Sequence, residues 1–204
     1  MASQVKAVIF DVGGVLLMNR IEEILQKVAE SLGIDAAGFR EFQLGYHSRM
    51  QKGSMSVAEF AKIIGDKYGL GMAAEEIVKV WKRSYLDVMD VNEGAMGIVK
   101  KLKQSGYKTG LVSNVPDLHA QINRERDLFK PFDACILSCE VGLVKPEKKI
   151  FEMAADKLGL GPKECVYIDD RGKYLGVPRG MGFVVFQFRG SEQLAAELKG
   201  IGVL

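Results

Sequence analysis

Hydrophobic positions along this chain fall into two kinds of run. Five are short and rich in β-branched residues: Ala7 to Phe10, Thr109 to Val112, Ala134 to Leu137, Val166 to Ile168 and Phe183 to Phe186. None alternates apolar with polar, as a strand with one wet face would, so all five predict strands covered on both faces. Helical segments fit between the later runs. Asn92 can cap one that runs to about Ser105, and Pro146 can open another that ends before Gly159. Strands alternating with helices in this way predict an α/β fold with a parallel sheet.

The interval between the first two strands breaks the rhythm. A strand–helix–strand unit needs about 30 residues, yet nearly a hundred separate Phe10 from Thr109. Ile21, Ile24, Leu25, Val28 and Leu32 follow helical spacing, and so do Ile77, Trp81, Tyr85 and Val88 or Met89. Ser56-Val57-Ala58-Glu59 has the form of a capping box, whose side chains satisfy the free amides at a helix start. The pattern predicts one parallel-sheet core, residues 1–17 and 91–204, interrupted by a small helical subdomain over residues 18–90. That insert directly follows the end of the first strand, where ligands bind in such sheets. No internal repeat or low-complexity segment is evident.

Composition adds exclusions. Of the 204 residues 48% are hydrophobic and 26% charged, which argues against disorder. The longest stretch free of charge is nine residues, Gly180 to Phe188, far short of the roughly 20 that cross a bilayer. The N-terminus lacks the apolar core of a signal peptide. These features predict a soluble, cytoplasmic protein with no membrane partner. The net charge of +2 is small and dispersed, so no nucleic-acid partner is expected. Lys100-Lys101-Leu102-Lys103 reads as the solvated face of a helix. Cys135, Cys139 and Cys165 form no metal-type cluster and suit a reducing compartment.

Four features stand at or just beyond predicted strand ends. Asp11 closes an apolar strand and is followed by Gly13 and Gly14, which let the backbone bend close to a ligand; an aspartate there can be a nucleophile, a metal ligand or a turn former. Ser113 and Asn114 end the second strand, and both can donate hydrogen bonds to an anion or simply terminate the strand. Lys145 precedes Pro146, either as a cation beside free helix amides or as a solvent-facing lysine. Asp169 and Asp170 end the fourth strand. Adjacent carboxylates repel, and a divalent cation such as Mg²⁺ relieves the conflict; the plainer alternative is a helix cap followed by an exposed acid.

Taken in order, the combination is far more specific than its parts. Phe10-Asp11-Val12-Gly13-Gly14-Val15-Leu16, Leu111-Val112-Ser113-Asn114, Gly142-Leu143-Val144-Lys145-Pro146 and Tyr167-Ile168-Asp169-Asp170 resemble the four motifs of the haloacid dehalogenase (HAD) superfamily, in particular its phosphatases with a helical cap after the first motif. The resemblance runs from about Lys6 to Phe186, with the cap matched mainly in length and helicity. It implies a Rossmann-like α/β core with an inserted cap, and a small phosphorylated metabolite as partner. It further implies that Asp11 attacks phosphorus to give an aspartyl-phosphate that water hydrolyses. Mg²⁺ would be held by Asp11, the Gly13 carbonyl and Asp170, with Asp169 as a closer or water-mediated partner. Ser113, Asn114 and Lys145 would hold the phosphoryl oxygens.

Two positions depart from the family pattern. Most of its phosphatases carry a second aspartate two residues after the nucleophile, as acid and base; here that residue is Gly13, although sugar-1-phosphatases of the family also have glycine. Its loss typically costs about 10²–10⁴-fold in rate. A good leaving group, a proton from the cap with His47 as a candidate, or weak catalysis would each accommodate it. Tyr174 stands where the family usually has asparagine, and the glycines with Pro178 weaken any helix after it. The departures leave carbon–halogen hydrolysis by Asp11, or a non-catalytic phosphate-binding module, as rivals. Gly69-Leu70-Gly71-Met72-Ala73-Ala74 fits a dinucleotide fingerprint but follows a helical pattern instead of a strand. His47 and His119 offer no metal pair. Cap specificity falls to Asn19, Arg20, His47, Arg49 and Gln51, and no motif specifies an oligomeric state.

Overall fold

The computed structural model describes residues 5–204. In chain order the elements are β1 (Ala7–Phe10), α1 (Ile21–Leu32), α2 (Ala36–Gln51), α3 (Val57–Tyr68), α4 (Ala74–Val88), α5 (Glu93–Gln104), β2 (Lys108–Ser113) and α6 (Asp117–Glu125). There follow β3 (Ala134–Leu137), α7 (Ser138–Val141), α8 (Lys148–Leu158), β4 (Cys165–Asp169), α9 (Gly176–Met181), β5 (Val184–Gln187) and α10 (Ser191–Gly200). The strands form one parallel sheet in the order β3-β2-β1-β4-β5. Successive residues of β1 supply opposite faces. Ala7 and Ile9 pack with Ile150, Phe151, Ala154 and Leu158 of α8, while Val8 and Phe10 join the larger cluster that holds α5 and α10. This is the two-sided burial that the unbroken apolar runs demand.

Small differences from the sequence pattern have local causes. Phe183 is buried, yet its amide bonds the carbonyl of Pro178 to close α9, so β5 begins one residue later and reaches Gln187. Pro146 does not open α8. A turn in which the Glu147 amide bonds the Val144 carbonyl comes first, and the helix starts at Lys148. Gly176–Met181 is helical despite its glycines and proline, because Pro178 sits in the first turn, where its missing N–H has no helical partner to lose.

Four helices, α1 to α4, fill the interval after β1. They pack on one another around Trp81, whose ring meets Phe39 and Phe60 edge-on with centroids 6.0 Å away in each case. The capping box at Ser56 and Glu59 is formed in both directions. Gly69 ends α3 in a left-handed conformation, so the glycine-rich segment joins two helices and follows no strand.

Asn92 is where the chain returns to the sheet layer. Its side-chain oxygen accepts from the Ala95 amide at the start of α5, and its amide donates to the Val15 carbonyl in the loop after β1. Asn92→Ala removes these two bonds and the one that Oδ1 accepts from the Ser191 hydroxyl at 3.3 Å, and urea unfolding should show a loss of about 1–2 kcal/mol. A change below a few tenths of a kcal/mol would show that the two segments are held by other contacts.

Candidate active site

Because β2, β1 and β4 are neighbours in a parallel sheet, their carboxyl ends open at the same edge. Asp11 immediately follows β1, Ser113 ends β2 and Asp169 ends β4. Lys145 reaches them from the turn before α8. Its Nζ lies 2.7 Å from Asp11 Oδ1 and 2.7 Å from Asp169 Oδ2, and its side chain is 1% exposed. Lys145 is therefore a buried ion-pair partner and does not face solvent. Burial would lower its pKa, but the two carboxylates outweigh that and hold it above the usual lysine value.

Each neighbour of this ammonium is itself fixed. Asp169 Oδ2 also accepts from the Tyr167 hydroxyl at 2.6 Å, and Oδ1 accepts from the Arg171 amide at 2.9 Å. Asn114, expected to hold phosphoryl oxygens, uses both ends of its amide on the main chain of Lys145: Oδ1 accepts from the Lys145 N–H at 2.8 Å and Nδ2 donates to its carbonyl at 3.2 Å. The Ser113 hydroxyl has no hydrogen-bond partner among the described residues and borders the cavity. Tyr174, the residue in place of the expected asparagine, sets its ring 5.1 Å from the Lys145 ammonium.

The loop after β1 folds back against Asp170. The Gly14 amide bonds the Leu17 carbonyl at 2.7 Å, and the Leu17 amide bonds the Val12 carbonyl at 2.8 Å. Gly14 has φ +87°, and a Cβ there would collide with the Asp170 carboxylate. Gly13 differs: it lines the cavity, and a Cβ at that position would meet nothing within 4 Å.

One carboxylate oxygen each from Asp11, Asp169 and Asp170 lie within 4.8 Å of one another. A single ammonium thus faces three acids. Burial pushes the Asp11 carboxyl up to about 6 despite the opposing pull of Lys145, and burial with the Asp169 charge raises Asp170 as well. Asp170 Oδ1 is buried with no hydrogen-bond partner. Surplus negative charge and an orphaned carboxylate oxygen are what a hard divalent cation would satisfy, so the donor set fits one.

Above the acids lies a cavity of about 140 Å³. Helix α2 presents Gln43, His47 and Gln51, one turn apart, to one side, and Gln51 donates to the Asn114 carbonyl at 3.2 Å. Of the specificity residues expected from sequence, Asn19, His47 and Gln51 line the cavity, whereas Arg20 pairs with Glu23 and Asp90 and the exposed Arg49 is not among the lining residues. Sequence reasoning missed Gln43, Arg171 and the wall where α4 meets α6. There Trp81 Nε1 donates to His119 Nε2 at 3.0 Å, and Asn123 Nδ2 donates to the Tyr85 hydroxyl at 2.9 Å. The signal that could have found this wall is the shared four-residue spacing of Trp81 with Tyr85 and of His119 with Asn123.

Burial lowers the His119 pKa to about 3. An unfolded histidine titrates near 6.5, so the stability this neutral ring contributes is full above about 6.5 and is lost as pH falls toward 3. The limiting slope is one proton, about 1.4 kcal/mol per pH unit. Unfolding free energies measured from pH 7 to 4.5 should fall more steeply in the native protein than in His119→Gln. Equal slopes would show that His119 is not held neutral.

The sequence model of one family, described as haloacid dehalogenase-like hydrolase, matches residues 5–173. Bifunctional epoxide hydrolase 2 of Rattus norvegicus is 27% identical over 212 residues, covering 94% of this chain and 38% of that protein. The chain thus spans about two-fifths of the length of this relative. D-ribitol-5-phosphate phosphatase of Bacteroides thetaiotaomicron is 25% identical, with 90% of this chain and 91% of the relative covered. Among solved structures, a wild-type HAD family enzyme from Bacteroides thetaiotaomicron, in complex with magnesium and inorganic phosphate, superposes with a TM-score of 0.75 at 23% identity, covering 91% and 95% of the two chains.

Proposed function

We propose that this chain, which belongs to the haloacid dehalogenase-like hydrolases, hydrolyses a small phosphomonoester with Asp11 as nucleophile and Mg²⁺ as cofactor. The observation that carries this reading is the buried Asp11–Lys145–Asp169 cluster beside the orphaned oxygen of Asp170. A similar fold is known with magnesium and phosphate, and a relative of similar length acts on D-ribitol 5-phosphate, which supports a sugar or polyol phosphate as substrate. Asp11, Asp170 and the Gly13 carbonyl would hold the cation, with Asp169, already bonded through both oxygens, as the outer partner. When bound, Mg²⁺ would neutralise charge between the acids and an anionic substrate.

The remaining roles belong to the chain itself. Ionised Asp11 attacks phosphorus, the phosphorus–oxygen ester bond breaks, and the leaving oxygen takes a proton from solvent. Water then attacks the aspartyl-phosphate, releasing inorganic phosphate and restoring the carboxylate. Lys145 and the free hydroxyl of Ser113 stabilise charge on the phosphoryl oxygens. Asn114 acts through Lys145, by fixing its main chain, and Asp169 acts through it by orienting the ammonium. Residues 18–90 serve as a cap on the core of residues 1–17 and 91–204, of which residues 1–4 lie outside the described ones, and Gln51, Trp81 and Tyr85 bring the cap's chemistry to the sheet edge. Three unpaired cysteines support a reducing compartment such as the cytoplasm.

Purified protein should release phosphate from an aryl phosphate with Mg²⁺ and lose that activity on chelation or on Asp11→Asn. Survival under either treatment contradicts the assignment, and chelator-insensitive halide release from a 2-haloacid would establish dehalogenation in its place. The open space at Gly13 yields a second expectation. Gly13→Asp has room for its side chain, and as a general acid it should raise kcat on alkyl phosphates by about 10²-fold or more while changing aryl phosphates less. An equal effect on both leaving groups would show that protonation of the leaving oxygen is not what Gly13 omits.

A further inference from the structure

We propose that His119 is a specificity-determining residue, donating a hydrogen bond through Nδ1–H to an uncharged oxygen on the leaving group, so that the substrate is the monophosphate of a neutral hydroxylated compound. This deepens the phosphatase reading and rests on it.

Trp81 sets the protonation of the His119 ring. An indole N–H donates and never accepts, so the 3.0 Å contact from Trp81 Nε1 requires His119 Nε2 to be the unprotonated nitrogen. In the neutral ring the proton then sits on Nδ1. The ring is held in place from two sides, by that bond and by Tyr85, whose ring centroid lies 4.3 Å away. His119 is 5% exposed, and it lines the cavity that also contains Asp11 and Ser113. Nδ1 has no hydrogen-bond partner among the described residues and is not sealed from solvent. It is therefore a fixed donor at the cavity surface, waiting for an acceptor.

The surroundings define which acceptor. The wall at His119 is built by Trp81, which bonds it, by Tyr85, which packs on its ring, and by Asn123, which bonds Tyr85, all uncharged; Gln43, also uncharged, lines the same cavity. His47 is the one group whose charge acts on His119, and burial lowers its pKa too. The charges that line the cavity, Asp11, Lys145 and Arg171, belong to the sheet edge and the loop after β4. A carboxylate, ammonium or second phosphate placed against the wall would lose water without gaining a counter-charge. Hydroxyl or ether oxygens would match the amides and imidazole, and the aromatic faces of Trp81 and Tyr85 suit the apolar C–H surface of the same molecule.

The test uses matched substrates: a five-carbon alditol phosphate and n-pentyl phosphate, with an aryl phosphate assayed in the same Mg²⁺-containing preparations. Native protein should favour the alditol phosphate in kcat/KM. In His119→Phe the alditol-to-alkyl ratio should fall about tenfold, the worth of one hydrogen bond, and His119→Gln, which keeps an N–H donor, should recover part of it. Ratios that stay within twofold of native in both variants would overturn the role of His119. Loss of every phosphate-releasing activity in native protein would instead overturn the underlying phosphatase reading. Nitrogen-15 NMR of the native protein provides a readout independent of turnover and of variant folding. It should show Nδ1 protonated and Nε2 bare across pH 5 to 8, with the Nδ1 proton shifting on addition of free alditol. The opposite tautomer, or titration within that range, contradicts the proposal.

Discussion

Lys145 stands between Asp11 and Asp169 at 2.7 Å from each, with its ammonium removed from water. A buried charge of this kind is tolerated only if its partners are close and their remaining lone pairs are satisfied, since breaking such a pair typically costs about 3–5 kcal/mol. Much of the surrounding architecture meets that condition. Tyr167 and the Arg171 amide complete Asp169, and the Val12 amide completes the bonded oxygen of Asp11. Asn114 ties the Lys145 main chain to the end of β2. The parallel order β2-β1-β4 is what brings all these groups to one edge.

From that cluster the cavity grades from charged to neutral. At its base three acids face one lysine, and the orphaned oxygen of Asp170 is a donor that a cation would satisfy. Farther out, helix α2 and the α4–α6 seam offer amides, imidazoles and aromatic rings. The same seam fastens the inserted helices to the sheet layer, because Trp81 and Tyr85 on α4 bond His119 and Asn123 on α6. A surface ion pair, Lys82 with Glu125, lies alongside and adds little by comparison. In the proposed reading, one set of buried polar bonds both closes the cap on the core and shapes the space for the leaving group.

Much of this was legible in the chain, and the reasons differ by element. Strands buried on both faces write themselves as unbroken apolar runs, so all five were visible; β1 and β3 keep the expected ends, β2 and β4 run one residue farther at each end, and β5 is shifted by one where Phe183 closes α9. Asp11, Ser113, Asp169 and Asp170 lie at or just past strand ends, which a parallel sheet brings to one edge, whereas Lys145 comes from the turn before α8 and only its place in the ordered set of motifs pointed to it. The division of labour among them was not legible. That Asn114 clamps Lys145 depends on the exact approach of two loops 31 residues apart. The His119–Trp81 bond spans 38 residues between two helices, and periodicity could assign Trp81 only to an apolar face.

In the proposed reading Asp11 becomes covalently phosphorylated, and chemical trapping tests that step. Protein quenched in acid during the first turnover of an aryl phosphate, then reduced with borohydride, should carry homoserine at position 11 in peptide mass spectra, because an acyl phosphate is reduced where a free carboxylate is not. Intact Asp11 in samples that have already released phosphate, with a phosphoryl group or homoserine at another position, would contradict the account.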